Sequence, residues 1–190
     1  GGNADRPVEK VSWADAQIFL TRLNAQQSAS IPSGWAYVLP TESQWEYACR
    51  AGTSTVFSWG GSASSTQANF DGTQPYGGGA TGVKIGQTCN VGQYTANPWG
   101  FFDMHGNVWE WVRDWKANYL GGALTDPEGP ASGSNRVKRG GSWNHVGTLL
   151  RSAKRNYYTP SSRYNHLGFR VGFQAVKPDG ANPELELFGG

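Results

Sequence analysis

One stretch constrains this chain more than any other: Gly100 to Trp115, GFFDMHGNVWEWVRDW. It sets Trp109, Trp111 and Trp115 beside Asp103, His105, Glu110 and Asp114. Asp103-Met104-His105-Gly106-Asn107 has the small and oxygen-bearing residues of a tight turn. From Val108 the spacing predicts a strand, with Val108, Glu110 and Val112 toward one face and Trp109, Trp111 and Arg113 toward the other. A carboxylate at Glu110 is costly to bury in such a strand unless something compensates it. Two compensations are open. Backbone N–H groups can hold it, or it can share a cation with Asp103, since both are hard oxygen donors of the kind calcium takes.

The rest of the chain must supply a core for those indoles. Its 190 residues suit one domain, or one domain with a tail. Only 37% of residues are hydrophobic, but nine Trp, eight Tyr and eight Phe bring large area each. Twenty-seven Gly and ten Pro imply many turns and little regular structure. The net charge of +2, without a basic run, argues against nucleic acid as a partner. No apolar run reaches the roughly 18 residues of a membrane span. Two Cys are too few for a disulfide scaffold.

Two helices are legible. Ser12 with Asp15 opens the first, and Trp13, Ala16, Phe19, Leu20 and Leu23 follow helical spacing to about Gln26. Thr41 and Gln44 form a capping box for the second, Trp45, Ala48 and Cys49 continue its inner face, and Gly52 stops it. Trp35 to Leu39 reads as a short strand. Residues 53–93 read as irregular, with Cys89 partly exposed. Arg136 to Trp143 reads as a strand ending at Gly140-Gly141, where backbone approaches something closely. Lys177 to Pro183 has linker composition, and Glu184 to Phe188 alternates like the start of a strand.

Four blocks occur in order: LPTESQWEYACRAG from Leu39, GFFDMHGNVWEWVRDW, RVKRGGSW from Arg136 and LGFRV from Leu167. Together they resemble the formylglycine-generating-enzyme, or sulfatase-modifying-factor, family, from about Pro7 to Phe173. The resemblance implies an α+β domain of C-type-lectin-like fold over residues 1–176, with two helices, small twisted antiparallel sheets and much irregular loop. Residues 177–190 would be a linker or the start of a following domain. The family's domain begins earlier, so this one is expected to be truncated or shortened at its N-terminus. The resemblance also implies structural calcium. One site falls on Asp103, Gly106, Val108 and Glu110. Another falls on Asn69 and the Phe70 carbonyl, where the family's acid near Gly82-Val83-Lys84 is missing and Asp71 would have to substitute. In relatives a cysteine at the Cys49 position can be disulfide-bonded to one that here is about Ser152, so Cys49 is expected to be a buried free thiol.

The family's oxidases hold copper(I) on two cysteines shortly after the Gly-Gly-Ser element, thiolates being what copper(I) prefers. Here Trp143 to Arg151 reads WNHVGTLLR, without cysteine, and His145 falls close to the first of those positions. The expectation is no copper and no formylglycine generation. Nor does Ser142 show a His-Asp pattern of a hydrolase in the sequence. The segment from Asn156 to His166, NYYTPSSRYNH, instead has the composition of adaptable binding loops. GGSW, RSAKRN, then Pro160, Arg163 and LGFRV carry a second resemblance, to the variable ends of ligand-binding proteins diversified by retroelements, which points to a bacterial chain. It implies a fixed frame of Trp143, Arg151, Ser152, Ala153, Arg155, Arg163, Gly168, Phe169 and Arg170. Asn144, His145, Tyr157, Tyr158, Ser162, Tyr164, Asn165 and His166 would be displayed, with Val146 beside them.

Three functions stay open. The expected one is a non-catalytic domain that binds an unknown protein or glycan, as a monomeric domain of a larger secreted or cell-surface protein. The second is an enzyme of the same family using non-copper chemistry on Ser142, His145 and a Tyr. The third is a structural spacer.

Overall fold

A computed structural model describes residues 3–119 and 121–176. Helix α1 spans Trp13–Gln26 and helix α2 spans Glu42–Arg50. Each starts on the reciprocal cap that the sequence predicts. Ser12 Oγ accepts from the Asp15 N–H at 3.1 Å while Asp15 Oδ2 accepts from the Ser12 N–H at 2.8 Å. Thr41 and Gln44 repeat the exchange. Trp13, Ala16 and Leu20 are the buried stripe of α1, while Phe19 is half exposed and rests edge-on against Phe169.

Strands β1, Trp35–Val38, and β6, Gly172–Ala175, form an antiparallel pair. The other four strands are β2, Trp109–Trp115, β3, Arg136–Arg139, β4, Arg155–Tyr158, and β5, Leu167–Phe169. They make one sheet in the order β4-β3-β2-β5. The small antiparallel sheets expected from the sequence are present, with one parallel pairing among them, β2 with β5. The chain crosses from β4 to the far side of β2 through the loop before Leu167, so β5 arrives in the same direction as β2.

Residues opposite one another in register share a face of the sheet. Trp111 lies opposite Lys138, and Arg136 opposite Tyr158, on the face covered by α1. Glu110 lies opposite Arg139, and Val137 opposite Tyr157, on the face toward α2. Both faces of β2 are therefore buried. Trp109 and Trp111 enter a core with Trp13, Leu20 and Leu167, while Val112 meets Trp45, Cys49 and Val137. Burying each indole contributes roughly 4–6 kcal/mol of gross transfer energy before entropy is charged against it. A third cluster, on Phe57, Phe70 and Leu150, organises the irregular segment after α2. Cys89, expected to be partly exposed, is buried there at 6% exposure, because its N–H and carbonyl bond the Asn107 amide.

The Gly140-Gly141 pair marks a close approach, as its position at a strand end predicts. Gly140 has φ 96°, and a Cβ would stand 3.2 Å from the Trp45 ring. At Gly141, φ 75°, a Cβ would lie 2.8 Å from the Leu150 side chain. The chain thus turns tightly out of β3 and presents the next loop at the end of the sheet. Among the described residues no helix is long and apolar enough to cross a membrane. The linker expected at residues 177–190, with its strand-like Glu184 to Phe188, lies outside the described residues.

Candidate functional site

The acidic turn was the first candidate. Asp103 sits at φ 55° and its Oδ2 accepts from the Gly92 N–H at 2.8 Å. Its carboxyl is pushed above the usual range, by burial first and by the charge of Glu110 after it, while the Gly92 N–H and Arg170 oppose. Side-chain donors hold Glu110, where the sequence offered backbone N–H groups or a cation shared with Asp103. Arg170 donates Nε to Oε2 at 2.6 Å and an Nη to Oε1 at 2.7 Å, and the Trp45 indole donates to Oε2 at 2.6 Å. Both carboxylates, Val108 and Arg170 line one cavity of about 610 Å³. Gly106, φ 88°, passes too close to the Asn69 carbonyl for any side chain.

At the other calcium position, Asn69 is 2% exposed. Its Nδ2 donates to the Gln87 carbonyl and to Asn107, and its Oδ1 is buried with no donor among the described residues. That orphaned acceptor suits a cation. Phe70, whose carbonyl the resemblance adds, is buried next to it. Asp71, offered by the sequence as the missing acid, is ion-paired with Lys84 at 2.8 Å and bonded by Thr73, so its charge is already used. Among the described residues no three His, Cys, Asp or Glu side chains gather into a metal-holding group.

His105, in the same turn, is a core residue. Its Nδ1 bonds the Leu150 carbonyl at 2.7 Å and its Nε2 accepts the Ser58 N–H at 3.2 Å. Only a neutral ring with the proton on Nδ1 satisfies both, and burial lowers its pKa to about 4. Cys49 is a buried free thiol 3.5 Å from that ring, its pKa pushed up to about 12 by burial.

The loop after Gly141 and the loop after β4 do meet. Ser142 is wholly buried, and its Oγ lies 2.6 Å from His145 Nδ1 and 2.9 Å from Asn144 Oδ1. The sequence showed no such Ser–His pairing, because a tight turn that folds residue i+3 back onto residue i leaves no wider motif. The His145 and His166 rings meet edge to face at 5.4 Å. Tyr164 stacks on His166 at 5.2 Å and packs against Tyr158 at 4.8 Å. Beneath them lies Lys138, fully buried, its Nζ over the Tyr158 ring at 3.4 Å and the Trp109 ring at 4.6 Å. Neither Lys138 Nζ nor His166 Nε2 has a hydrogen-bond partner among the described residues. Burial lowers Lys138 to about 7 and both His to about 4, with positive neighbours adding to the fall in the two His. Burial keeps the two His uncharged at neutral pH and brings Lys138 down to where it titrates. Lys138 was missed in the sequence; its only signal was its place two residues from Arg136 in a strand opposite Trp111.

The residues expected to be displayed are divided by the sheet. Tyr164 and Tyr157 are 43% and 46% exposed, but Tyr157 points to the α2 face, under Lys116. Tyr158 faces α1 and packs into the core. His166 is buried at 8% exposure, Asn165 is exposed, and Ser162, half-buried, bonds Thr159. Asn144 contacts His166, and Val146, half-buried, leads into a short 3-10 turn at Gly147–Leu149. The arginine frame is uneven. Arg155 and Arg170 bind the buried acids Glu42 and Glu110, Arg163 pairs with Asp15 at the surface, and Arg151 donates to the Thr148 carbonyl and stands over the Tyr76 ring.

Two helices packed on opposite faces of a small mixed sheet, with much ordered loop, define an α+β domain of the formylglycine-generating-enzyme subclass. The model described as "Sulfatase-modifying factor enzyme 1-like domain" matches residues 1–175, and the chain belongs to that family. It is 34% identical over 180 residues to a formylglycine-generating enzyme of Bos taurus, covering 87% of this chain and 43% of that one. With the enzyme of Streptomyces coelicolor it shares 33% over 194 residues, covering 96% and 57%. The chain thus spans about half the length of these relatives, 43% and 57%. Among solved structures it is similar to Treponema denticola variable protein 1, with TM-score 0.74 and 25% identity over 90% of this chain and 72% of that one. PvdO from Pseudomonas aeruginosa matches with TM-score 0.75 and 27% identity, covering 93% and 64%.

Proposed function

We propose that this domain binds a ligand and does not generate formylglycine. One observation carries the reading. Where the resemblance puts a copper-binding thiolate, His145 stands, tied to Ser142 and to the Trp109 indole. The two cysteines, Cys49 and Cys89, are both buried elsewhere. The ligand would meet Asn144, His145, Tyr164 and Asn165 at the end of the sheet, with Tyr157 engaged only by a partner large enough to reach around its edge. That geometry favours a protein or glycan over a small molecule. The likeness to Treponema denticola variable protein 1 supports such a role, and a secreted or surface setting goes with the proposal. Screening the domain against protein and glycan arrays tests this. Binding should be lost in Tyr164→Ala with Asn165→Ala while the melting temperature holds, and a ligand indifferent to both changes would refute the surface. Sequencing the neighbouring DNA for a reverse transcriptase and a near-copy template tests diversification.

A second reading, catalysis on Ser142 and His145, is favoured by their 2.6 Å contact. Ser142 is wholly buried, and Asn144, not a carboxylate, completes the contact, so no acid orients the imidazole. We also propose structural calcium at Asp103, Gly106, Val108 and Glu110, with Asn69 and Phe70 as a separate position. The acids facing one cavity and the orphaned Asn69 Oδ1 support it.

A further inference from the structure

The α2 face of the sheet holds a second enclosed space that neither site above uses. A cavity of about 570 Å³ lies between the start of α2 and residues 117–119 and 124–130, with Asp114 and Trp115 of β2 at its edge. That volume is in the range of small-molecule sites. Its walls include Tyr47, Tyr119 and Leu124.

Four carboxylates face this space, and three of them have guanidinium partners. Glu42 is held by Arg139, Arg155 and the Tyr119 hydroxyl. Glu46 is paired with Arg50 and Arg139, and Glu128 with Arg113. Arg155 and Arg50 also line the cavity, but each divides its remaining donors among backbone carbonyls, of Ala117 and Thr55. Asp114 differs. It is 5% exposed, and its Oδ2 accepts the Glu42 N–H at 2.6 Å. Among the described residues no ion pair to Asp114 is seen; the charge of Arg113 reaches it but that guanidinium is paired with Glu128, and the charge of Glu42 opposes. Burial pushes its carboxyl up to about 6. Its Oδ1 points at Gly129, φ 73°, where a Cβ would intrude to 3.1 Å. Gly129 and Asp114 both line the cavity.

A buried carboxylate without a counter-ion is unfavourable, and aromatic rings around it attract a cation by their faces. We propose that this cavity binds a small protonated organic amine, its ammonium on Asp114 Oδ1 and its apolar or aromatic body against Tyr47, Tyr119 and Leu124. The site is independent of the loop surface, since Tyr158, His145 and His166 lie across the sheet.

Tyramine is a suitable probe and 4-ethylphenol its counterpart without the amine, both followed by calorimetry and ligand-observed NMR above neutral pH. Tyramine should bind saturably, one per chain, and 4-ethylphenol at least about tenfold more weakly. Asp114→Asn keeps an oxygen for the Glu42 N–H and removes the charge; it should weaken tyramine about tenfold and leave 4-ethylphenol unchanged. Leu124→Trp, at an exposed loop position, should fill the cavity and abolish both. Tyramine affinity should fall as pH drops through about 6, where Asp114 takes up a proton. No saturable tyramine binding, equal affinity for the two probes, or binding that survives Leu124→Trp would each overturn the proposal. Should Asp114→Asn fail to fold, the probe pair and Leu124→Trp still decide it.

Discussion

Arg170 grips Glu110 with two nitrogens, at 2.6 and 2.7 Å, and thereby ties the last block of the family pattern, LGFRV, to the Trp-rich strand at its centre. Glu110 is 5% exposed, so the pair works in a poorly solvated place. Removing Arg170 would leave a buried carboxylate with only the Trp45 indole. Arg170→Ala should therefore destabilise the domain by about 3 kcal/mol, and Glu110→Ala by a similar amount. Glu110→Gln, which keeps an acceptor for Trp45, should cost less. Urea unfolding of the three variants measures this; equal stability of Arg170→Ala and the unaltered domain would contradict it.

The two adjacent tyrosines of β4 should behave oppositely. Tyr157 is 46% exposed, and its replacement by Ala should change stability by less than about 0.5 kcal/mol. Tyr158 covers the buried Lys138 and packs on the α1 core, so Tyr158→Ala should cost about 3 kcal/mol or more. Thermal melts of the two single variants give the comparison.

That contrast shows how far the sequence could be read. The caps at Ser12 and Thr41, the inner stripe of α1 and the close approach at Gly140-Gly141 rest on local chemistry, and each was legible. The family pattern itself was legible from four separated blocks. The split of the displayed residues was not. A run such as NYYTPSSRYNH reveals its composition, but which tyrosine faces α1 depends on register with β3, a long-range property. The parallel pairing of β2 with β5 is of the same kind. Lys138 was illegible because a lysine in a short strand normally turns to solvent, and only the Trp109 and Tyr158 rings explain its burial. Asp114 read as one more acid in the opening stretch, since its lack of a cation appears only once every nearby arginine has found another partner.

Acid should loosen the domain. His105, His145 and His166 have folded pKa values near 4, below the ordinary 6.5. The unfolded chain then binds more protons between about pH 6.5 and 4, so stability falls as pH drops through that window. Asp114, raised to about 6 from 3.8, acts in the opposite sense, losing stability as pH rises through its window. Asp103, also raised by burial, acts in that same opposing sense; the three His outweigh the two carboxyls, and the melting temperature should fall from pH 6.5 toward 4. His166→Asn should flatten the curve. A melting temperature that rises on acidification would contradict this balance.

Calcium should raise the melting temperature, and a chelator should lower it, if the cation joins Asp103 and Glu110. Asp103→Asn should abolish the difference between the two conditions while folding is retained. Elemental analysis of the purified domain gives an independent reading; no calcium, together with no shift on chelation, would count against the site.

The central claim, that this member of the family binds and does not oxidise, is met most directly by a peptide assay. The domain, loaded with copper(I) or without it, is incubated with a sulfatase-type cysteine peptide, and the product is read by mass spectrometry beside a competent formylglycine-generating enzyme. The account predicts no aldehyde under either condition and no stoichiometric copper binding at His145. Aldehyde formed by this domain, with or without copper, would contradict it.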